Sequence, residues 1–202
     1  MSGDRPGRLR IVAGLARGRT LRVPRGVAVR PTAERVREAL FSILGDRCLE
    51  ARVADICAGT GALGLEALSR GGRRLLCVER SPAVAAVLRQ NIASVGLSGA
   101  EIMVGDARRV LTRLGRDQAC FDLIFLDPPY QQRLFTPLVR AVFTEGLLAP
   151  QGLLVVEHPA DMVSPLAEEG TTRADEVPVV TGGRMTDQRR YGTVALAFFE
   201  NE

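Results

Sequence analysis

The sequence predicts an α/β fold, with a mostly parallel sheet, helices on both faces and an antiparallel C-terminal edge strand. Three observations predict it. Between residues 52 and 157, short apolar runs rich in Val, Ile and Leu alternate with segments whose apolar residues recur at helical period. The first of these runs ends in a glycine-rich turn that opens a helix, as parallel strand–helix units require. The tail breaks the alternation, because two strand-like runs follow there with a polar Gly-Gly loop and no helix between them.

Taken in order, residues 9–13 and 19–23 are strand-like runs joined through Gly14 and Gly18, which reads as a β-hairpin that Pro24 and Gly26 end. Thr32 is placed to cap a helix carrying Val36, Ala39, Leu40, Ile43 and Leu44 on one side, although Arg35 stands where a capping box needs an acid. The repeated units then run strand 52–57, helix 62–70, strand 75–78, helix 82–95, strand 101–104 and helix 107–114. Strand 121–126, helix 134–143 and strand 153–157 complete them, and strands 176–180 and 193–199 form the tail. The division expected is a basic hairpin-plus-helix extension over residues 1–45 and a main domain over residues 46–202.

Charge is distributed unevenly. All 27 basic residues are arginine, and the net charge is +4. Residues 1–37 carry 10 arginines against Asp4 and Glu34, whereas the remaining 165 residues are mildly acidic. A basic arm on an acidic body points to a polyanionic partner, since guanidinium pairs with phosphate through a planar fork of donors. Arg10, Arg19, Arg30, Arg35 and Arg37 are the candidates to grip phosphates. No run of about 18 uncharged apolar residues marks a membrane span, and the basic first residues lack the apolar stretch of a signal peptide. A cytoplasmic monomer is expected. Cys48, Cys57, Cys77 and Cys120 have no paired spacing and His158 is the one histidine, so neither disulfides nor a metal site is expected, and His158 is read as incidental.

The glycine turn carries the cofactor argument. Gly59, Gly61 and Gly64 fit the dinucleotide fingerprint, with Glu79 following about 20 residues on. Asp55, four residues before Gly59, would repel a pyrophosphate but attract an ammonium or sulfonium. S-adenosylmethionine carries both cations and no phosphate. Glu79 can then accept from ribose hydroxyls, and Asp106, followed by Ala107, from the adenine amine. Three acids at successive strand ends sit where open α/β sheets bind ligands.

Asp127-Pro128-Pro129-Tyr130 is the most specific feature. An exocyclic base amine is a poor nucleophile because its lone pair is delocalised into the ring. Accepting hydrogen bonds from its N–H groups favours a pyramidal nitrogen and turns the lone pair towards a methyl donor. Asp127 supplies one acceptor, and a carbonyl of Pro128 or Pro129 another, held rigid by the rings. Tyr130 offers a face on which the base can stack.

These residues resemble the class I S-adenosylmethionine-dependent methyltransferases with an (Asp/Asn)-Pro-Pro-(Tyr/Phe) motif, and more closely the RsmD-type 16S rRNA guanine-N2 methyltransferases. The closer resemblance rests on Arg10-Ile11-Val12-Ala13-Gly14, Arg30-Pro31-Thr32 and Arg35-Val36-Arg37-Glu38-Ala39-Leu40-Phe41, and on the stretch from Gly61 to Gly71. It implies a Rossmann-like, seven-stranded sheet, S-adenosylmethionine as donor, and methyl transfer to guanine N2 of 16S rRNA in the assembling small ribosomal subunit. It also implies that Asp55, Gly59 and Gly61 lie in the cofactor loop, Glu79 at the ribose, Asp106 at the adenine and residues 127–130 at the target base. Cys57 departs from the family, which usually has phenylalanine there. Three other readings stay open: a DNA adenine-N6 methyltransferase, a non-catalytic RNA-binding assembly factor, and a dinucleotide oxidoreductase.

Overall fold

The computed structural model describes residues 9–24, 31–129, 134–162, 164–166 and 180–202. Helix α1 (Pro31–Leu44) and a 3-10 turn (Gly45–Cys48) lead into the alternating units. These are β1 (Arg52–Ile56), α2 (Ala62–Ser69), β2 (Arg74–Glu79), α3 (Pro82–Val95), β3 (Ala100–Val104), α4 (Ala107–Arg116), β4 (Phe121–Leu126), α5 (Phe135–Thr144) and β5 (Leu148–Pro159). Strands β6 (Gly183–Tyr191) and β7 (Val194–Asn201) close the chain as an antiparallel hairpin.

The seven strands are ordered β3-β2-β1-β4-β5-β7-β6. The first five are parallel, and β7 and β6 join antiparallel. Strand order reverses between β1 and β4, so the crevice at the carboxyl ends of these two strands is the topological switch point where such sheets take ligands.

Period-2 alternation divides the core. Val53, Leu123, Phe125, Leu153 and Val155 face one layer with α2, α3 and the N-terminal elements. Ala54, Ile56, Ile124, Leu126, Leu154 and Val156 face the other, against Leu111 and Leu114 of α4 and Leu138, Val139 and Val142 of α5. Leu9, Ile11, Leu21, Leu40 and Phe41 belong to the first layer, and the Phe41 and Phe125 rings lie 5.8 Å apart. The N-terminal residues are thus packed onto the sheet's own core.

The expected hairpin is present in a reduced form. Leu21 N–H donates to the Leu9 carbonyl at 2.8 Å and Ile11 N–H to the Arg19 carbonyl at 2.9 Å, around a single bridge of Arg10 with Thr20. The ladder stops because the next two amides turn elsewhere: Val12 N–H and Ala13 N–H donate to the two oxygens of Glu66 at 2.7 and 3.0 Å. Glu66 is buried on α2 and also accepts from Arg70 Nε at 2.8 Å. Ser69 completes the dock, its hydroxyl accepting from Ala16 N–H and donating to the Ala13 carbonyl. Helix α1 begins at Pro31, which places Thr32 inside the first turn rather than before it.

The tail differs from its expectation. Residues 176–179 of the expected strand lie outside the described residues, and Val180 makes only an isolated bridge with Gly183. The sixth strand is instead the polar run Gly183–Tyr191, where the sequence predicts a loop. As the sheet edge it pairs on one side only, with Arg184, Thr186, Arg189 and Arg190 exposed and a register shift between Met185 and Asp187. An edge needs no apolar alternation, and charge along it discourages pairing with another chain. Strand β5 also starts earlier than expected, through an irregular stretch holding Pro150 and Gly152.

Removing Glu66 leaves two backbone amides and the Arg37 guanidinium buried beside an empty position. Glu66→Ala is expected to lower the unfolding free energy by about 3–5 kcal/mol in urea titrations; a loss below about 1 kcal/mol would contradict this anchoring role.

Candidate active site

A cavity of about 730 Å³ opens at the switch point. Asp55, Glu79, Asp106, Asp127 and Glu157 all line it, from the ends of β1 to β5 in sequence order. Gly59, Ala107, Pro128 and Pro129 line it as well, so the chain's fold brings together the residues singled out from three separate motifs.

The turn after β1 needs unusual backbone. Gly59 and Gly61 adopt φ of 54° and 78°, and a Cβ on Gly61 would stand 2.4 Å from Leu88 Cδ1. Gly61 therefore shapes the loop from beneath rather than lining the cavity. Cys57 also sits at positive φ, 68°, without glycine's freedom. Burial, followed by the charges of Glu79 and Asp127, pushes its thiol up to about 12, so it stays protonated and inert.

Each acid does structural work at its strand end. Asp55 is buried and its Oδ2 accepts from Gly64 N–H at 2.9 Å, holding the start of α2. Glu79 accepts from Gly59 N–H at 3.0 Å with one oxygen and from Ser81 N–H at 2.7 Å with the other. Asp106 caps α4 through Arg109 N–H at 3.3 Å. A carboxylate oxygen has lone pairs for a second donor, so these bonds orient the acids without exhausting them.

The electrostatics favour a cationic ligand. Burial raises Asp55 to about 7, and nearby Glu79 adds to the rise while the Gly64 amide opposes it. Burial first, then the charges of Glu157 and Asp55, hold Asp127 well above the usual carboxylate range. Carboxyls crowded in this way gain from a positive ligand, whereas a pyrophosphate would add to their repulsion. The buried Asp55 and the acids at the ends of β2 and β3 fit the ammonium and adenosine ends of S-adenosylmethionine. The match of the glycines to the dinucleotide fingerprint reflects the shared need for a tight strand-to-helix turn.

Arg37, expected among the phosphate-gripping residues, lies elsewhere. It is 4% exposed, donates from Nη2 to the Arg10 carbonyl at 2.7 Å, and lines the cavity. Arg10, Arg19 and Arg35 are on the surface, with Arg10 paired to Glu34 at 3.0 Å. Arg30 and Tyr130 lie outside the described residues. His158 is buried beside the Pro159 carbonyl and Gln188, and burial lowers its pKa, in keeping with an uncharged structural role. The four cysteines are free. Among the described residues no group of His, Cys, Asp or Glu is placed to hold a metal ion, and no helix is long and apolar enough to cross a membrane.

Two parts of the cavity were missed in the sequence. Glu157 lies near the carboxyl end of β5, two residues before its last, much as the other acids lie at or just past the ends of their strands, and that shared position was the available signal. Leu9, Val23 and Pro24 form a wall that no local pattern marks, because it depends on how the N-terminal segment folds back.

The family described as conserved hypothetical protein 95 matches residues 9–200. The chain is 36% identical over 151 residues to the ribosomal RNA small subunit methyltransferase D of Escherichia coli strain K12, covering 75% of each chain. It is 33% identical over 173 residues to the enzyme of that name from Haemophilus influenzae, covering 82% of this chain and 90% of the other. The solved structure of Escherichia coli yhhF superposes with a TM-score of 0.79 at 31% identity, over 97% of this chain and 99% of that one. By sequence over nearly its whole length, and by fold, this chain belongs to the conserved hypothetical protein 95 family.

Proposed function

We propose that the chain transfers a methyl group from S-adenosylmethionine to the exocyclic N2 amine of a guanine in 16S rRNA of the small ribosomal subunit. The observation that carries this reading is that Asp127, Pro128 and Pro129 share one cavity with Asp55 and the glycine loop, on adjacent strands at the switch point. Donor and acceptor positions thereby lie side by side. The relatives named ribosomal RNA small subunit methyltransferase D support rRNA as the substrate.

S-adenosylmethionine supplies an electrophilic methyl on a sulfonium that leaves as a neutral thioether. The chain's own residues do the remainder. Asp55 holds the cationic end, Glu79 and Asp106 the adenosine end. Ionised Asp127 accepts from the target amine, localising its lone pair, while the proline pair keeps that end of the site rigid. The amine loses one proton as its new N–C bond forms, and Asp127 and Glu157, which directly follow the paired residues Leu126 and Val156 and both line the cavity, are the carboxylates that can take it up. The target base must leave its stack to reach Asp127, so an unpaired or flipped guanine is the expected substrate form. The extension over residues 1–45 is assigned to RNA contact, with Arg10, Arg19 and Arg35 exposed to meet phosphate.

The direct test is methyl incorporation from labelled S-adenosylmethionine into small ribosomal particles lacking the modification, followed by nucleoside analysis. N2-methylguanine is expected, reduced by about a hundredfold or more in Asp127→Ala. Formation of N6-methyladenine in DNA instead would overturn the substrate and keep the chemistry.

The pH profile follows from the sign of the shift. Asp127 works ionised and its pKa is raised, so the single-turnover rate should fall on acidification from a higher pH than an ordinary carboxylate would give. Glu157→Gln removes a like charge and should move that limb to lower pH; an unmoved limb would contradict the assignment. For Asp55, raised from 3.8 to about 7 on folding, the folded state binds the extra proton, so its burial penalises stability increasingly as pH rises through that window. At pH 8, Asp55→Asn should therefore be more stable by on the order of 2 kcal/mol, yet bind S-adenosylhomocysteine at least about tenfold more weakly. A destabilised variant with unchanged affinity would contradict both halves.

A further inference from the structure

Arg37 is a charged side chain almost wholly buried, and the fold leaves it incompletely answered. Its Nη2 donates to the Arg10 carbonyl at 2.7 Å, and its Nε makes no hydrogen bond. The nearest carboxylate, Glu66, stands 4.0 Å from that Nε. Glu66 is already committed to Val12 N–H and Ala13 N–H and, at 2.8 Å, to Arg70 Nε. A guanidinium taken out of water is strongly penalised unless its donors are met, and a structural arginine would ordinarily be closed off by a bidentate carboxylate. Arg37 instead lines the ligand cavity, as Leu9 and Asp55 do.

Its position in the cavity is specific. The acids that suit ribose and adenine, Glu79 and Asp106, stand at the ends of β2 and β3, on one side of β1. Arg37 comes from α1, whose Phe41, about one turn further on, sets its ring 5.8 Å from that of Phe125 on β4, on the other side of β1. An adenosine lying over β2 and β3 therefore extends the amino-acid end of its cofactor towards β1 and α1. That end carries an ammonium and a carboxylate. Asp55 answers the ammonium, and every other acid on the cavity wall would repel the carboxylate.

We infer that Arg37 is the receptor for the α-carboxylate of the bound S-adenosylmethionine, so that Asp55 and Arg37 together read the cofactor's zwitterionic end. The inference rests on the reading of the cleft as an S-adenosylmethionine site. It moves Arg37 from the RNA-gripping set to the cofactor set and accounts for its burial, its open hydrogen-bonding capacity and its place on the cavity wall together.

The test compares two ligands by calorimetric titration: S-adenosylhomocysteine and its decarboxylated analogue, which keeps adenosine, thioether and ammonium. The wild-type chain should prefer the carboxylate-bearing ligand by about ten- to a hundredfold. In Arg37→Gln that preference should shrink to about twofold, with affinity for the decarboxylated analogue little changed. Arg37→Lys, which keeps the charge without the planar fork, should fall between. Equal weakening of both ligands in Arg37→Gln would mean a purely structural arginine and overturn the inference. So would a wild-type chain indifferent to the carboxylate, a result that needs no variant to fold. Failure of the wild-type chain to bind S-adenosylhomocysteine at all would sink the cofactor reading itself.

Discussion

Two carboxylates hold the turn that follows β1. Asp55 reaches forward from the strand to the Gly64 amide at the start of α2, and Glu79 reaches across from β2 to the Gly59 amide. The loop between them runs through glycines at positive φ with a close approach to Leu88, so few side chains of its own can stabilise it. Without these two acceptors, backbone donors at the edge of the core would be unmet, and the floor of the cavity would lose its shape. The parallel sheet supplies the positions, because successive strand ends in one layer place successive acids along one crevice.

The same acids set the site's chemistry through their own discomfort. Asp55 and Asp127 are buried near further negative charge, and both are raised as a result. Stability is given up there, and a cationic ligand is what restores it. Scaffold and function are coupled in a second way through the N-terminal segment. Asn91 of α3 accepts from Arg22 N–H and donates to the carbonyls of both Arg22 and Thr60, binding the arm and the cofactor loop to one buried amide. Glu66 holds the arm from α2 as well, through the amides of Val12 and Ala13. A segment that looks in sequence like a basic appendage is thereby part of the cavity wall.

Most of the sheet was legible because buried parallel strands are nearly continuous apolar runs and their helices keep a clear period. The glycine turn and the Asp127-Pro128-Pro129 corner were legible because each demands particular residue types at fixed spacing. Strand β6 was not, since an edge strand such as Gly183–Tyr191 needs only a ladder partner and shows no apolar alternation. Arg37 misled for a related reason. Its neighbours Arg35 and Glu38 are exposed on α1, and only the helix's docking against Glu66 shows which of the arginines turns inward. Glu157 and the wall of Leu9, Val23 and Pro24 gain meaning only once strands and arm are brought together.

The acids at the strand ends suit the cleft to a cationic adenosyl ligand and not to a dinucleotide. Calorimetric titration of S-adenosylmethionine and of NAD at pH 6.5, repeated in two buffers of different ionisation enthalpy, separates the two ligands. S-adenosylmethionine should bind with proton release, because the ligand's positive charge ionises an Asp55 raised to about 7, and NAD should show no comparable binding. Tight binding of NAD without binding of S-adenosylmethionine would contradict this.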